Sequence, residues 1–495
     1  MDNKVKNIFL TGATGVMGMK GMHEILSLRD KGEHLMLTVL ARPGKRNEKK
    51  LQPFIDKGVR VIWGDLLDPD VIERGVRDAD IVLHMGGMVS PAADWEPEKT
   101  YRVNTESMRL IVETAKKRES AMRIQSAERR RSIRVVYIGS VAQYGNRPYP
   151  HQWGRSGDPI CSATFDKYAL SKIEAERILA ESGLKEWVSI RQTSILHAGL
   201  LGKADNPVAF HVPMANGLEW VTDEDSGRLL AALCRDDIPG DFWNNFYNCG
   251  GGDSYRMSNY EFMKATLTAA GCPLPEQVFE LNWFATRNFH GMFFQDSALL
   301  DKYLHFRSGE CFDSYMRRMR KQLPFYFRLA PLAPAFIIKW VMGGVADKEK
   351  LGTRRWIKEK NIPRIEAAYG SLEEYSLIPD WKEFSLPPLK RDGEILDHGY
   401  DESRDFNNLT FADLRKAAEF RGGYLESERM DADKVGNMDI PLTWICSEGH
   451  RFQLTPRTVL KGGHWCGECI REMERDPKAF ERLAHKSPFL SQLNC

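Results

Sequence analysis

Short apolar runs alternate with amphipathic helical patterns along the first half of the chain. The runs occupy residues 5–11, 35–41, 59–63, 80–84 and 134–139. A helical pattern follows the first run through Ile25, Leu26 and Leu28. Buried strands separated by helices are typical of βαβ units, whose strands pair in parallel. The pattern therefore predicts a doubly wound α/β domain, in which ligands bind at the carboxyl ends of the strands.

Glycines at three-residue spacing follow the first predicted strand. Gly12, Gly15 and Gly18 lie between this strand and the next helix. Such glycines allow a tight turn and a close approach of the backbone to a pyrophosphate, which then faces the N-terminus of the helix. We therefore expect a dinucleotide to bind here and at the ends of the neighbouring strands. The expected cofactor contacts at these places are Gly12, Thr14, Gly15, Val16, Met17, Gly18, Asp65, Leu66, Met85 and Gly86.

A tyrosine and a lysine four residues apart, Tyr168 and Lys172, share one face of a predicted helix. An ammonium group near a phenol favours the ionised form, which lowers the pKa of the tyrosine. A tyrosine adjusted in this way exchanges a proton with a carbonyl or an alcohol. Ser140 follows the fifth apolar run and adds a hydroxyl group at the end of that strand. The three side chains predict an active site.

These segments together resemble a known family, the extended short-chain dehydrogenase/reductases, also called the epimerase/dehydratase family. The resemblance covers about residues 4–300 and is carried by segments 11–18, 64–66, 101–104, 140 with 144–145, and 168–172. Three later segments agree with it, at 188–191, 220–225 and 246–251. It implies a doubly wound parallel-sheet (Rossmann) domain followed by a mainly helical substrate-binding and cap region.

The resemblance also implies roles for individual residues. Tyr168 would be the proton donor and acceptor, and Ser140 would hold the substrate oxygen. Lys172 would lower the pKa of the tyrosine and hydrogen-bond the nicotinamide ribose, so that Tyr168 and Lys172 also contact the cofactor. Asn104 would have a supporting catalytic role, and Thr193 would complete the cofactor site.

The end of the second strand bears on the choice of cofactor. An acidic residue there would accept hydrogen bonds from the ribose 2′-hydroxyl of NAD(H). The chain instead has Arg42, and the next acidic residue is Glu48. A guanidinium can bind a 2′-phosphate through two hydrogen bonds, although a solvated basic loop is the simpler interpretation. On this basis NADP(H) is favoured over NAD(H).

The resemblance leaves several chemistries open. Dehydratases of the family carry Thr-Asp-Glu where this chain has Ser140-Val141-Ala142, which argues against dehydration. Sugar epimerases show a Pro or Asn soon after the arginine of the sixth strand, whereas Arg191 is followed by Gln192 and Thr193. We therefore expect an oxidoreductase that interconverts a carbonyl and a secondary alcohol. The alternatives are an epimerase or reductase acting on nucleotide sugars, and a redox-sensing binding protein.

An aromatic and methionine-rich stretch lies in the expected substrate region. Its members are Trp283, Phe284, Phe289, His290, Met292, Phe293 and Phe294. This composition favours an apolar or ring-bearing small substrate, although such clusters are more often ordinary core. The sequence leaves that choice open.

Length and composition set the organisation of the chain. Its 495 residues predict two or three folded units. We place them at 1–303, with the substrate-binding part mainly at 195–303, at 304–404 and at 405–495. A charged fraction of 28% and a net charge of +2 give no reason to expect nucleic acid or a membrane as partner. The chain enters its first strand directly and its nine cysteines are scattered, so we expect no signal peptide, no disulfide framework and a cytoplasmic protein.

The segment 304–404 joins two regions with clearer motifs. Tyr315, Met316, Met319 and Leu323 stand at helical spacing. Prolines 379, 387 and 388 then break any regular pattern. We expect a helical cap over the substrate pocket followed by a proline-rich connector. The apolar stretch at 329–345 is interrupted by prolines and is too short to span a bilayer.

The cysteine and histidine residues of the C-terminal segment are spaced like the ligands of a metal site. Cys446 and His450 form one close pair, and Cys466 and Cys469 form another. Two close pairs separated by a loop are what a tetrahedral zinc ion needs, and four protein ligands make such a site structural. The stretch resembles treble-clef or zinc-ribbon modules, with His464 as a spare ligand. We expect one Zn²⁺ per chain in a local module that serves as a structural appendage or a homodimer element.

Overall fold

The computed structural model describes residues 5–125, 132–201, 205–322, 333–388, 393–427, 435 and 437–493. Leu323 of the predicted cap helix lies outside these residues. Within them, no helix is long and apolar enough to cross a membrane.

Fifteen strands are present in the described part of the chain. They are β1 Lys6–Thr11, β2 Leu35–Ala41, β3 Arg60–Trp63, β4 Ile81–His84, β5 Arg134–Ser140, β6 Trp153–Gly154, β7 Glu186–Gln192, β8 Ser194–Leu196, β9 Gly217–Thr222, β10 Asn245–Cys249, β11 Arg256–Ser258, β12 Phe293–Phe294, β13 Tyr424–Leu425, β14 Leu442–Ile445 and β15 Arg451–Leu454.

The helices fall into two groups along the chain. Those of the first 304 residues are α1 Val16–Asp30, α2 Lys45–Ile55, α3 Pro69–Val76, α4 Ala92–Trp95, α5 Pro97–Gln125, α6 Lys167–Ala180, α7 Ala198–Leu201, α8 Asp223–Ala232, α9 Asn259–Ala270, α10 Pro275–Val278 and α11 Ser297–Leu304. The later ones are α12 Phe312–Arg320, α13 Ala335–Val345, α14 Thr353–Lys358, α15 Ile362–Tyr369, α16 Leu372–Ser376, α17 Phe411–Phe420, α18 Pro456–Leu460, α19 Gly467–Arg475, α20 Ala479–Ala484 and α21 Pro488–Ser491.

The main sheet has seven strands in the order β10-β7-β5-β4-β1-β2-β3. All of its pairings are parallel. The chain moves outward from β1 first to one side and then, through β4, to the other, so the order reverses between β1 and β4. Such a reversal opens a crevice at the carboxyl ends of the two strands, where ligands of doubly wound folds bind.

Helices cover both faces of this sheet. On one face α1 packs against α8, and their apolar side chains join those of the sheet in one core. On the other face α5 packs against α6, and a second core forms with α3. The apolar runs of the sequence are buried from both sides, which explains why they lack strict alternation. The predicted Rossmann-like fold is confirmed.

The segment after α11 is mainly helical, as predicted. Helices α13, α14 and α15 pack against the substrate-binding part through Trp283, Phe284 and Trp356. Trp356 donates its indole N–H to the carbonyl of Lys350 (3.0 Å). The predicted boundary at residue 303 falls within the last turn of α11.

The C-terminal module contains a three-stranded sheet in the order β13-β14-β15 and a core of its own. Trp444 is fully buried in that core and donates its indole N–H to the carbonyl of Leu454 (2.9 Å). The module also lies against the main domain, because α19 packs on α6. The expectation of a purely local module is therefore wrong: its contacts reach the helix that carries Tyr168.

Candidate active site and metal cluster

In the glycine-rich turn after β1, the start of α1 packs closely on the turn itself, and the turn packs closely on the loop after β4. Gly12 has φ +82°, and a Cβ atom there would lie 2.8 Å from Met85 Cγ. A Cβ on Gly18 would lie 2.3 Å from the carbonyl oxygen of Gly12. Glycine is needed at both positions because any side chain would force the turn open. Gly15 forms the N-cap of α1 without a side-chain cap, which leaves the N-terminus of this helix open to an anion.

A chain of hydrogen bonds ties β1 to β4 behind this turn. The N–H of Gly86 donates to Thr11 Oγ1 (3.0 Å), which lies 2.8 Å from His84 Nδ1. Burial lowers the pKa of His84 to about 3, so the ring is neutral. The other ring nitrogen, His84 Nε2, lies 3.3 Å from Ser107 Oγ. These hydrogen bonds were not predicted from the sequence. The feature that could have indicated them is a histidine at the end of an apolar run.

The end of β2 presents basic side chains to solvent. Arg42 is exposed, and its guanidinium makes no hydrogen bond or ion pair with the residues that the structure describes. Lys50 on α2 donates to the carbonyl of Thr14 (2.9 Å), which places a cation beside the glycine-rich turn that sequence reasoning did not single out. Asp65, at the end of β3, accepts the backbone N–H of Leu67 (2.9 Å).

The candidate catalytic residues converge where β5 meets α6. Asp166 caps α6 by accepting the N–H of Ala169 (2.8 Å), and Tyr168 follows in the first turn. The Ser140 side chain lies close enough to the Tyr168 phenol to oppose the rise in its pKa that burial causes. Lys172 donates to the carbonyl of Ile138 (2.9 Å), with its Nζ 5.9 Å from the centre of the Tyr168 ring.

Burial determines the protonation of this group. It raises the pKa of Tyr168 to about 12, against the opposing effect of the Ser140 side chain. It also lowers the pKa of Lys172 to about 8. The expected lowering of the tyrosine pKa by Lys172 is wrong for this structure, because desolvation of the phenolate raises that pKa and the charges of Asp166 and Asp94 add to the rise. Tyr168 is a neutral phenol at neutral pH.

Asn104 and Thr193 use their polar groups within the protein. Asn104 accepts the N–H of Met88 (2.8 Å) and donates to Met88 O (3.1 Å) and to Ser171 Oγ (2.9 Å). It thereby joins the loop after β4 to α6, which fits a supporting role. The hydroxyl of Thr193 donates to the carbonyl of Glu219.

A cavity of about 90 Å³ opens beside Tyr168. Its walls come from the loops around Asp94, Asp166 and His290 and from helices α14 and α15 of the cap. Of the seven residues in the aromatic stretch, Phe289 and His290 line it, whereas the other five are buried in packing contacts. The His290 ring lies 3.2 Å from Asp166, next to the start of α6.

Four metal-ligating side chains converge in the C-terminal module. They are Cys446, His450, Cys466 and Cys469, and their ligand atoms all lie within 4.8 Å of one another. The turn between β14 and β15 brings the first two together, with Gly449 at φ +80°, and Cys466 is the N-cap of α19. The sulfur of Cys446 lies 3.7 Å from that of Cys469, and the three sulfurs lie 3.4, 3.5 and 3.6 Å from His450 Nδ1. This arrangement can hold a metal ion.

The spare ligand His464 has a different partner. Its Nε2 lies 2.7 Å from Glu176 Oε1 on α6, and both side chains are buried. Glu176 also accepts from Arg191 on β7 (2.6 and 3.1 Å), which donates in turn to the carbonyl of Gly462 (2.6 Å). Burial alone would raise the pKa of Glu176, but Arg191 and His464 hold it well below its usual range. The C-terminal module is thus joined to α6 by a buried ion cluster.

Comparisons with known proteins agree with the sequence resemblance. Residues 8–193 match the family described as the NAD dependent epimerase/dehydratase family. A relative from Cupriavidus necator, D-erythronate dehydrogenase, is 27% identical over 145 residues, which are 29% of this chain and 41% of the relative. The matched segment therefore spans less than half of that relative's length.

Solved structures show a similar outline. One is dTDP-glucose 4,6-dehydratase from Bacillus anthracis in complex with NAD, at 14% identity and a TM-score of 0.49, over 64% of this chain and 96% of that one. Another is UDP-glucose 4-epimerase from Bifidobacterium longum in complex with NAD⁺ and UDP, at 19% identity and a TM-score of 0.46, over 64% of this chain and 97% of that one. At these scores the likeness says nothing about activity. The family match over residues 8–193 agrees with the glycine-rich turn and with the order of the main sheet.

Proposed function

We propose that the chain is an NAD(P)(H)-dependent oxidoreductase that interconverts a carbonyl and a secondary alcohol on a small molecule. The observation that carries this proposal is the convergence of Ser140, Tyr168 and Lys172 where β5 meets α6, with a cavity beside Tyr168. Ser140 and Tyr168 lie at the same edge of the sheet as the glycine-rich turn. Proton exchange at Tyr168 would therefore take place beside a dinucleotide bound at the turn.

Each group of the candidate site would have a separate role in the reaction. The turn at Gly12, Gly15 and Gly18 and the open N-terminus of α1 would hold the pyrophosphate, and a bound dinucleotide would supply or accept the hydride. Tyr168, kept neutral by burial, is in the form that gives a proton to a carbonyl oxygen. Ser140 would orient that oxygen through its hydroxyl group, and Lys172 would contact the ribose.

The preference for NADP(H) rests on Arg42. Its exposed guanidinium stands directly after β2, where the ribose of a dinucleotide bound at the glycine-rich turn would lie. The five N–H donors of arginine fit a phosphate group well. No acidic side chain stands at this strand end to accept a hydrogen bond from the ribose 2′-hydroxyl group, which distinguishes NAD(H) from NADP(H).

The metal of the C-terminal cluster is proposed to be a structural Zn²⁺. With Zn–S bonds near 2.3 Å and Zn–N bonds near 2.0 Å, tetrahedral geometry requires about 3.8 Å between two sulfurs and about 3.5 Å between sulfur and nitrogen. The distances of 3.7 Å and of 3.4, 3.5 and 3.6 Å fit these values. Four protein ligands leave no position open for a substrate.

Replacement of Tyr168 tests the oxidoreductase proposal. Tyr168→Phe keeps the ring but cannot exchange a proton, so we expect kcat to fall by roughly 10²–10⁴-fold, the range for general acid–base catalysis. NADP(H) affinity should stay unchanged. The measurement is NADPH consumption with a panel of small carbonyl compounds, and Tyr303→Phe, whose hydroxyl donates to Asp241 (3.1 Å) away from the site, is the control. Unchanged kcat in Tyr168→Phe, or cofactor binding without any turnover by the wild type, would count against the proposal.

A further inference from the structure

Arg364 lines the cavity, and its side chain is half-buried. It lies on α15 of the cap, in a segment outside the family match. Its backbone N–H reaches Asn361 Oδ1 (3.4 Å), but its guanidinium makes no hydrogen bond or ion pair within the described part of the chain. Burial lowers the pKa of Arg364, while the charges of Glu474 and Asp94 act on this guanidinium in the opposite direction. Neither carboxylate is hydrogen-bonded to it, so its N–H donors stay available to an anionic ligand.

Aromatic rings hold this guanidinium in place. Its central carbon lies 4.4 Å from the centre of the Phe165 ring and 5.5 Å from that of Trp356. Phe165 stands three residues before Tyr168 in the chain, so the two side chains share one wall of the cavity. Stacking orients a planar guanidinium without using its N–H donors, which stay available to a ligand.

A second unused polar group lies in the same cavity. The Oδ2 atom of Asp94 is buried without a hydrogen-bond partner among the described residues. Burial raises the pKa of Asp94 to about 6, with Asp166 adding to the rise and Ser90 and His290 opposing it. The carboxylate is therefore ionised above that pH and can accept a hydrogen bond from a substrate hydroxyl group.

The other arginine of the cavity provides a contrast. Arg287 is paired with Glu374, so its charge is already balanced. The cavity volume of about 90 Å³ is far below the roughly 300–1,000 Å³ of pockets for drug-sized ligands, which points to a substrate of a few carbon atoms. A planar carboxylate matches the fork of a guanidinium through two parallel hydrogen bonds.

We propose that Arg364 binds the carboxylate of a small hydroxy acid or keto acid, while Asp94 accepts from one of its hydroxyl groups and Tyr168 faces its reacting oxygen. This proposal rests on the proposed function and gives its substrate class. It departs from the apolar or ring-bearing substrate favoured by sequence, since the aromatic side chains that suggested it are mainly buried in packing contacts.

Binding measurements test this assignment separately from turnover. The probes are three- to five-carbon hydroxy acids, their primary amides and the corresponding neutral polyols, measured by calorimetry on the full chain. We expect at least one acid to bind at least 10-fold more tightly than its amide. Arg364→Met should abolish that difference, Arg364→Lys should reduce it, and Arg287→Met should preserve it. Thermal unfolding of each variant shows that it is folded.

Each outcome distinguishes the two proposals. If the Tyr168→Phe variant retains the preference for acids and the wild type shows no turnover, Arg364 binds carboxylates and the oxidoreductase proposal fails. If turnover is found but amides bind as tightly as acids, or Arg364→Met keeps the preference, the carboxylate assignment is wrong. Tighter binding of a phosphomonoester than of any carboxylate would also overturn it.

Discussion

The glycine-rich edge of the main sheet and the Cys/His cluster of the C-terminal module are both built from short motifs, but they differ in what they leave open. At the sheet edge, Gly15 exposes the start of α1, and Arg42 extends into solvent. At the cluster, four ligands converge on one point, with all three cysteines buried. An open site exchanges its ligand, whereas a closed site keeps it. This contrast supports the proposed roles, binding and turnover in the first region and a structural metal in the second.

The two regions are nevertheless connected through α6. Residues 168, 172 and 176 recur every four residues, so Tyr168, Lys172 and Glu176 lie along one face of this helix. Tyr168 reaches the cavity, and Glu176 binds His464 of the C-terminal module. On a neighbouring part of the helix, Glu174 pairs with Arg471 of α19 (2.7 Å). Folding of the module therefore contributes to the position of the candidate catalytic helix.

Loss of the metal should have the largest effect. Cys466→Ser removes one of the four proposed ligands, and structural zinc contributes on the order of 10–16 kcal/mol to such modules. Because α19 packs on α6, we expect one unfolding transition at a lower temperature, and a loss of turnover, rather than the separate melting of a local module. Calorimetry with elemental analysis is the measurement, and the wild type should contain one zinc per chain.

The exposed Cys311 offers the matched control for this variant. Cys311→Ser should retain the metal and the wild-type transition. If Cys466→Ser instead melts residues beyond about 405 alone and leaves kcat unchanged, the two regions are energetically independent. If activity disappears while the fold and its melting temperature are unchanged, the metal is catalytic.

Two glutamates on α6 contact the C-terminal module: Glu176 is buried beside His464, and Glu174 forms a partly exposed ion pair with Arg471. Substitution of each measures the contribution of its contact. Glu176→Gln leaves the Arg191 guanidinium buried without its counter-charge, so we expect the free energy of unfolding to fall by about 3–5 kcal/mol. Glu174→Gln breaks a partly exposed pair and should cost less than about 1 kcal/mol. Urea denaturation followed by fluorescence measures both. Equal losses would show that Glu176 has no special part in joining the module to α6.

A smaller effect than that of Glu176→Gln should be confined to the open region. Arg42→Ala removes the proposed partner of a 2′-phosphate and should weaken NADPH binding by about 1.5–3 kcal/mol, the range for a hydrogen bond to a charged group. NADH affinity, metal content and melting temperature should not change, because the Arg42 side chain contacts no described residue through hydrogen bonds or ion pairs. Titration with both dinucleotides is the measurement. Equal losses for NADPH and NADH would make Arg42 a structural residue.

Local spacing was enough to predict much of this protein. The strands of the main sheet, the glycine-rich turn, the Tyr168–Lys172 pair and the four ligands of the Cys/His cluster depend on residues a few positions apart, or on hydrophobic runs that a parallel sheet requires. These features follow from the periodicity of helices and strands, so they can be predicted from the sequence alone.

Three other features depend on segments far apart in the chain. His464 binds Glu176 across 288 positions, the cap supplies Arg364 to a cavity formed around residue 168, and burial raises the pKa of Tyr168 where its lysine neighbour alone predicted a decrease. Partner choice and desolvation are collective properties, because they depend on every segment packed around a group. Short-range spacing therefore identifies which residues carry the chemistry, and tertiary packing decides their partners and their protonation.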